Sequence, residues 1–454
     1  MYVAPPPDPE EIQDKIRSEK WIDILMRSSD SRTKREYLHW DKLRRLKPPG
    51  EISAEEWWWA IKFERSSNLH RLPLLAAEPD SPFYSDGNPF TYSLPDSVLR
   101  SLHRIDQRCA GEVAMDQVVT SEGQARDRYL VNSLAEEAIR SSQLEGATTS
   151  RQEAKALLRS GREPRNRSER MIVNNYRALQ FMRADMGDVL TPELVLELHR
   201  ILTDGTLDDP EAAGRMQPSF EERVAVYYPG DDKPVHRPPH ADQLEERLVA
   251  LCEFANGSDE DEPFIHPVLR AILLHFGLAY DHPFLDGNGR TARILFFWLM
   301  RKRGYWLVEY LPISRILQQA PAQYARAFLE TETDGGDTTY FILHQLRVIE
   351  QAIEDMHRYL RRKADEIKEV EALIHGNEGF NNRQLSVLSD ALRHPDRTYS
   401  FKGHAEIHRV THETARSDLS LLRKRGFLER RKIGREYVFE PPADLPRRLK
   451  ESNP

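Results

Sequence analysis

Amphipathic helical patterns dominate the middle of this 454-residue chain. From roughly residue 100 to roughly residue 360, apolar side chains recur at intervals of three and four, as on one side of an α-helix. Such a stripe has to be buried against other helices. The sequence therefore predicts a mainly α fold, a helical bundle, and the segments that carry the pattern are RDRYLVNSLAEEAIRSSQLEG, NRSERMIVNNYRALQFMRADM, TPELVLELHRILTDG, ADQLEERLVALCEFAN and HPVLRAILLHFGLAY.

Two other stretches differ from this pattern. RVAVYYPGDDKPVHRPP, residues 223–239, contains a β-prone run, a Pro-Gly-Asp turn and a second short run, which predict a hairpin projecting from the helices. Before the bundle, a dense aromatic group predicts a small N-terminal helical domain over residues 1–95; the group consists of Trp40, Trp57, Trp58 and Trp59.

Composition narrows the classes of protein. Lys and Arg number 65 against 73 Asp and Glu, so the net charge is −8 and any nucleic-acid contact has to be local. The N-terminus lacks a secretory signal pattern, and the longest apolar run, residues 294–300, falls far short of the ~20 residues of a membrane span. We therefore expect a cytoplasmic protein with no membrane partner. Cys109 and Cys252 lie too far apart in sequence to indicate a disulfide framework or a thiolate metal site.

The stretch HPFLDGNGRTAR, residues 282–293, concentrates polar groups at a junction between apolar segments. Pro283 cannot continue a helix, and Gly287 and Gly289 permit backbone conformations that other residues avoid. These residues predict a tight loop followed by a helix that restarts near Gly289. Backbone amides that converge on a helix N-terminus form an anion site suited to phosphate.

The side chains of this stretch fit phosphate chemistry. Asn288 can add a donor, and Arg290 and Arg293 can hold phosphate oxygens in fork geometry. Asp286 suits a magnesium ion that bridges phosphates. His282 can then act as a general base that takes a proton from an attacking hydroxyl.

Two alternatives remain for this loop. Gly287-x-Gly289-x-x-Ala292 formally matches a dinucleotide fingerprint, but that motif should follow a strand, whereas an apolar helical pattern precedes it here. The loop could also be a structural turn with a capping Asp286 and solvated arginines. No P-loop sequence and no H-E-x-x-H helix is present.

The stretch resembles the signature of the Fic family in the Fido superfamily, H-x-F-x-[DE]-G-N-G-R-x-x-R, at every defined position. The resemblance implies transfer of AMP from ATP to a Ser, Thr or Tyr hydroxyl of a protein, with release of pyrophosphate. It also implies that His282 is the base, that Asp286 binds Mg²⁺ and that Phe284 anchors the loop in the core. The implied phosphate site consists of Gly287, Asn288, Gly289, Arg290 and Arg293.

The segment SSQLEG resembles the inhibitory motif [ST]-x-x-x-E-[GN] of the same family, with Ser141, Glu145 and Gly146 at the defined positions. Ser141 and Glu145 are four residues apart and share a helix face. A glutamate near Arg293 would occupy the guanidinium that should hold the ATP γ-phosphate. The resemblance thus implies an enzyme restrained by its own helix near residues 131–146; the alternative is a solvated glutamate.

The hairpin at residues 223–239 resembles the Fic flap, which aligns a target segment by strand addition. The preceding AGRMQPSF matches the family's Gly-x-x-Arg run only loosely, so an ordinary surface hairpin stays open. His266 and His275 flank an apolar helix without metal-ligand spacing. We interpret them as core or surface histidines.

Residues 381–442 resemble a winged helix-turn-helix, after a Fic domain at 96–360 and a helical linker at 361–380. THETARSDLSLLRKRGFL would be the recognition helix, with Thr411 as its N-cap and Ala415, Leu419 and Leu422 on its packed face. ERRKIGREYVF would be the wing. Locally concentrated positive charge suits phosphate contacts; the candidate nucleic-acid contacts are Arg416, Arg423, Lys424, Arg425, Arg431 and Lys432. Protein docking is the alternative.

These features together predict a self-inhibited protein adenylyltransferase that uses ATP and Mg²⁺. Its partners would be a target protein that the sequence does not identify, the chain itself included, and DNA through the winged helix. A nucleotide-sensing DNA-binding regulator and a Fic-type enzyme that removes AMP, with Glu145 positioning a water, are the alternatives. Assembly into a homo-oligomer stays open.

Overall fold

A computed structural model describes residues 2–16, 18–28, 36–78, 81, 83–109, 123–226, 236–375, 379–393, 397–433, 436–442 and 444–451. The chain divides into two compact units, Met1–Met356 and His357–Pro454. Within the described residues, no helix is both long and apolar enough to cross a bilayer. The cytoplasmic location stays a prediction.

The first unit is mainly helical, as the periodicity predicts. Its described helices are α1 (Pro9–Lys15), α2 (Trp21–Ser28), α3 (Trp40–Leu43), α4 (Ala54–Ser66), α5 (Asp96–Cys109), α6 (Gly123–Leu144), α7 (Arg151–Ser160), α8 (Arg167–Ala184), α9 (Pro192–Thr203), α10 (Leu244–Asn256), α11 (Pro267–Asp281), α12 (Asn288–Lys302), α13 (Ile313–Gln319), α14 (Pro321–Thr333) and the first part of α15 (Thr339–His375). A two-stranded antiparallel sheet joins them, formed by β1 (His70–Leu75) and β2 (Pro89–Tyr92).

The N-terminal segment belongs to this first unit. Its three consecutive tryptophans on α4, residues 57–59, are almost completely buried. Ion pairs connect it to α14 and the residue that follows that helix: Asp41 with Arg326 at 2.6 Å, and Lys62 with Asp334 at 2.9 Å. The structure therefore does not separate residues 1–95 as a compact unit, because their polar groups have partners more than 250 positions away.

Helices α11 and α12 form the centre of the first unit and pack against each other. On α11 every side chain from Val268 to Leu278 is buried, and α12 is buried over most of its length. A helix that is apolar all round has to be covered on all sides. The loop that joins α11 to α12 is therefore anchored at both ends in the core.

The described second unit contains α16 (Asn382–Arg393), α17 (Phe401–His408), α18 (His412–Lys424), α19 (Leu445–Glu451) and an antiparallel pair, β3 (Glu429–Ile433) with β4 (Glu436–Glu440). Thr411 caps α18 by accepting a hydrogen bond from the N–H of Thr414, as the sequence predicts. Ala415, Leu419 and Leu422 are fully buried, which confirms the packed face of this helix.

Candidate active site

Helix α11 ends where Pro283 removes a backbone donor. The carbonyl of Ala279 would normally accept from the N–H of the residue four positions later, but proline has none. His282 follows the helix in the left-handed region, with φ of 47°, one of two non-glycine residues with positive φ in the described part of the chain. Backbone strain of this kind is characteristic of functional sites.

The side chain of His282 uses the carbonyl that Pro283 leaves free. Its Nδ1 lies 3.3 Å from the Ala279 oxygen, and since a carbonyl only accepts, Nδ1 carries the proton. The other ring nitrogen, Nε2, then holds the lone pair. Burial, together with the positive charge of His236, lowers the pKa of His282 to about 4. His282 is therefore neutral near pH 7 and can act as a base.

The loop after His282 is held by side chains that bond its backbone. Asn288 accepts from the N–H of Phe284 at 2.9 Å and donates to the carbonyl of Phe284 at 2.7 Å. Phe284 is fully buried, as predicted, and stacks on His199 with ring centroids 3.8 Å apart. The side-chain amide of Asn288 is thus engaged within the loop. The contact of Asn288 with a phosphate stays a prediction, and its backbone N–H would make that contact.

His199 is a site residue that sequence reasoning missed. Its Nδ1 accepts from the N–H of Gly214 at 3.0 Å, so its Nε2 carries the proton and donates to the carbonyl of Asp286 at 2.8 Å. Burial lowers the pKa of His199 to about 4, which keeps this arrangement uncharged. Its signal in the sequence is only a histidine on the apolar side of ELHRIL, which is more often a core residue.

The N-terminus of α12 faces the site with available donors. Gly287 precedes the helix with φ of 89°, and no side chain caps it. Uncapped N–H groups and the positive end of the helix dipole favour an anion here. Gly289 lies beneath Glu145: a Cβ at this position would be 2.3 Å from Glu145 Oε1. A side chain at position 289 would force the Glu145 carboxylate to shift from its place above the first turn.

The two arginines of the motif have different surroundings. Arg293 donates from Nη2 to Glu145 Oε1 at 2.8 Å and from Nε to Ser141 Oγ at 2.9 Å. Arg290 is fully buried and donates to the carbonyl of Leu202 at 3.2 Å. Arg293 lines the cavity beside His282, whereas Arg290 is not among the lining residues and its guanidinium contacts the Leu202 carbonyl and, at 3.4 Å, the Asp286 carboxylate. The predicted phosphate contact of Arg290 stays a prediction that its present position does not support.

Asp286 is the candidate magnesium ligand. Its carboxylate accepts from the N–H of Gly287 at 2.5 Å and pairs with Arg167 at 3.4 Å, while a third of the side chain remains exposed. The described residues contain no cluster of three or more acidic, His or Cys side chains that could hold a metal. One carboxylate with an open side fits an ion whose remaining ligands are phosphate oxygens and water.

The predicted inhibitory helix is α6, which ends at Leu144, so Glu145 and Gly146 lie in the turn that follows. Both Ser141 and Glu145 contact Arg293. Glu137, one helical turn before Ser141, is buried and accepts a hydrogen bond of 2.9 Å from the N–H of Ser314 at the start of α13. Burial raises the pKa of Glu137 to about 7. This buried contact attaches α6, the helix that leads to Glu145, to the start of α13.

A cavity of about 200 Å³ adjoins these residues. It is lined by Glu145, His282, Gly289 and Arg293 and by residues of α14, namely Tyr324, Ala325, Phe328 and Leu329. Aromatic and aliphatic lining residues are suited to contact with a flat ring, and a helix N-terminus is suited to an anion such as phosphate.

The base of the predicted hairpin lies at this cavity. Val226 and His236 pair as an isolated antiparallel bridge, and both line the cavity. The turn predicted within residues 227–235 lies outside the described residues. Neither His236 nor its partner Glu332 was singled out from the sequence.

Two further histidines, His266 and His275, agree with their interpretation as core or surface residues. His275 is a buried partner of Tyr324, and His266 caps α11 and contacts Asp106.

Exposed cations cover one part of the second unit. Arg416, Arg423 and Lys424 on α18 are exposed. Arg425 stacks on Phe380 at 4.6 Å, and Arg431 lies 3.6 Å from Glu440. The side chain of Lys432 lies outside the described part. Predicted nucleic-acid contacts are therefore available at the surface of α18, without a geometry that specifies a ligand.

Comparisons with known proteins agree with the motif. Residues 189–300 match the Fic/DOC family. The chain is 31% identical over 169 residues to protein adenylyltransferase fic-1 of Caenorhabditis elegans, which covers 36% of this chain and 30% of that protein. It is 27% identical over 225 residues to the protein of the same name from Caenorhabditis briggsae, covering 48% of this chain and 40% of that protein. The chain thus matches less than half the length of these curated relatives.

The fold also has a counterpart among solved structures. A Fic family protein from Desulfovibrio desulfuricans G20 superposes with a TM-score of 0.52 at 18% identity, covering 78% of this chain and 98% of that chain. The segment that matches the Fic/DOC family in sequence, residues 189–300, contains His199, the loop before α12, and Arg290 and Arg293. Residues 189–300 thus match the Fic/DOC family in sequence, and the fold that contains them has a counterpart in a solved Fic family structure.

Proposed function

We propose that this chain is a self-inhibited protein adenylyltransferase, which transfers AMP from ATP to a hydroxyl of a target protein. One observation carries the proposal: a neutral, oriented His282 lies in one cavity with the uncapped N-terminus of α12 and with an arginine that Glu145 occupies. The relatives named protein adenylyltransferase support the same reaction.

The reaction requires one proton transfer and one displacement. The acceptor hydroxyl oxygen bonds to the α-phosphorus of ATP while the bond from that phosphorus to the bridging oxygen breaks, and pyrophosphate leaves. His282 Nε2 takes the hydroxyl proton, because its lone pair is unprotonated at neutral pH. Arg293 and the first-turn N–H groups of α12 neutralise phosphate charge. Asp286 would hold Mg²⁺, which supplies further charge neutralisation to the phosphates when bound.

Glu145 acts as the brake in this proposal. A carboxylate 2.8 Å from Arg293 and directly above Gly289 occupies the position and the charge that a phosphate of ATP requires. ATP then has to displace Glu145 or bind in a register unsuited to attack. The wild-type chain should transfer AMP slowly.

The direct test is the intact mass of three forms after incubation with ATP and magnesium: wild type, Glu145→Gly, and Glu145→Gly with His282→Ala. We expect added AMP on Glu145→Gly, little on wild type and none on the double variant. Labelled ATP with a lysate extends the test to other acceptors. The absence of labelled protein from every form, with candidate targets present, contradicts the proposal.

A second activity is suggested by the exposed cations of α18. We infer that the second unit is a winged helix that binds DNA, with Arg416, Arg423, Lys424, Arg425, Arg431 and Lys432 as candidate contacts. If the chain is instead a DNA-binding regulator that senses nucleotide, its affinity for DNA should change with ATP and this change should survive His282→Ala. Docking of a protein to the same unit predicts no DNA binding at low salt.

Removal of AMP from a modified protein is the alternative reaction at the same site. In that reaction Glu145 would position a water rather than exclude ATP. Release of AMP from a pre-modified target by wild type, lost in Glu145→Gly, would distinguish it from transfer.

A further inference from the structure

The end of α11 needs partners that the helix itself cannot provide. The last carbonyls of an α-helix have no intrahelical donors, and they carry the negative end of its dipole. Tyr280 cannot bond the N–H four residues later, because that N–H, of Phe284, donates to Asn288. The oxygens of Tyr280, Asp281 and His282 therefore require donors from elsewhere.

Both donors, Arg223 and His236, come from the base of the hairpin. Arg223 Nη2 lies 2.8 Å from the Asp281 oxygen and 3.0 Å from the His282 oxygen. His236 Nε2 lies 2.7 Å from the Tyr280 oxygen. The hairpin base thus caps the helix whose end bears the candidate catalytic base.

The second ring nitrogen of His236 also faces an acceptor. Nδ1 lies 2.9 Å from Glu332 Oε2 on α14. With a carbonyl on one side and a carboxylate on the other, both nitrogens donate only if the ring is an imidazolium. Its side chain is almost fully buried, so neither contact is a loose surface pair.

The charges around His236 favour this state. Burial alone lowers the pKa of His236, but the charge of Glu332, the hydrogen bonds to Glu332 and Tyr280 and the charge of Asp281 outweigh burial, so the pKa is raised above 6.5. The other charged or titratable groups nearby are His282, whose pKa the His236 charge lowers, Arg223 at the adjacent carbonyls, and Tyr280, whose ring centroid lies 4.8 Å from that of His236.

We propose that His236, held as an imidazolium between the Glu332 carboxylate and the Tyr280 carbonyl, is a positioning residue that fixes the hairpin base and α14 against the end of α11 and thereby orients His282. The proposal rests on the proposed AMP transfer, because orientation of His282 has value only for a proton transfer. His236 itself takes no part in the chemistry. Its loss would leave Tyr280 without its donor and the hairpin base attached by backbone bonds and Arg223.

The test separates ionisation from activity. Histidine side chains labelled with ¹³C are titrated by NMR in the full chain, and peaks are assigned by their loss in His236→Gln and His282→Ala. We expect His236 to titrate above 6.5, Glu332→Gln to lower that value, and the pKa of His282 to rise in His236→Gln. His240→Gln and Glu245→Gln, both exposed, are controls. A His236 that titrates at or below 6.5 overturns the proposal.

The activity arm uses the Glu145→Gly background, in which the brake is removed. Because small displacements of a catalytic group cost up to ~100-fold, His236→Gln should lower kcat by roughly tenfold to a hundredfold. Glu332→Gln keeps an acceptor for His236 Nδ1 but removes the negative charge, and it serves as the second variant in case His236→Gln misfolds. The decrease in kcat caused by Glu332→Gln should be larger at pH 8 than at pH 6. Transfer by both variants at the rate of the controls overturns the positioning role. No transfer by any form, Glu145→Gly alone included, counts against the proposed function, and the NMR titrations still decide the ionisation of His236.

Discussion

Arginines are placed in opposite ways in the two units. In the segment that matches the Fic/DOC family, Arg290 and Arg293 are buried, and each donates to a named acceptor within 3.2 Å. On α18 of the second unit, Arg416 and Arg423 are exposed. A buried cation has to be paired, so its partners specify what it does. An exposed cation is compatible with many partners, and its geometry specifies little.

The contrast separates two kinds of functional statement. The pair of Glu145 with Arg293 identifies the guanidinium atom that a phosphate would have to take over in the proposed function. The cations of α18 specify a sign of charge and a surface. Substitutions of matched residues in the two units should therefore differ in kind, and each of the following predictions tests that difference.

The largest effect is expected at Arg293. In the Glu145→Gly background, Arg293→Ala removes a preorganised cation from a buried site, and we expect kcat/KM for AMP transfer to fall by about 10²–10³-fold. Arg423→Ala in the same background is the matched control and should leave transfer unchanged. Equal rates in the two variants, measured with labelled ATP, would contradict the distinction.

Arg290 should matter for stability. Arg290→Ala leaves the carbonyl of Leu202 without this donor and opens a cavity, which together cost about 3 kcal/mol or more. The midpoint of thermal unfolding of the first unit measures the loss of stability. The exposed Arg416→Ala should stay within about 0.5 kcal/mol of wild type. A small effect of Arg290→Ala would show that its backbone contacts are dispensable.

Glu137 supplies a pH-dependent comparison of buried and exposed acids. Its pKa is raised from 4.5 to about 7, so the native state binds the extra proton, and stability falls as pH rises from 4.5 towards 7. The shift corresponds to about 3 kcal/mol. Glu137→Gln should remove this dependence between pH 5 and pH 8, whereas Glu413→Gln, exposed on α18, should not. Parallel pH profiles for wild type and Glu137→Gln would contradict the assignment.

The smallest effect is expected on the second unit. If α18 contacts DNA phosphates, Arg423→Ala and Lys424→Ala should each reduce the slope of log affinity against log salt by about one. Fluorescence anisotropy with a short duplex measures the slope. Arg447→Ala on α19, also exposed, is the control. Unchanged slopes in both variants would favour protein docking.

Much of the site could be predicted because its chemistry is local in sequence. The loop at residues 282–287, the restart of the helix and the N-cap of α18 all depend on turn and capping residues within a few positions. The approach of Glu145 to Arg293 could be predicted only because a family resemblance supplied it, since 148 positions separate the two residues.

The residues that were missed act through distant contacts. His199 reaches Asp286 over 87 positions, His236 reaches Glu332 over 96, and Glu137 reaches Ser314 over 177. Each looks like an ordinary member of a helix or strand until the fold supplies its partner. The same reason accounts for residues 1–95, whose ion pairs with α14 and the residue after it give no signal in the local pattern.

Pro283 occupies an undefined position of the twelve-residue signature and contributes no chemical group. Pro283 acts through the backbone N–H that it lacks. Without that donor, the carbonyl of Ala279 is available to accept a hydrogen bond from His282 Nδ1. An amide at position 283 would compete for that acceptor and release the imidazole to turn over or to exchange tautomers. The main chain thus determines which nitrogen is basic, and a substitution of Pro283 that keeps every reactive side chain should still impair the proposed transfer by restoring one N–H.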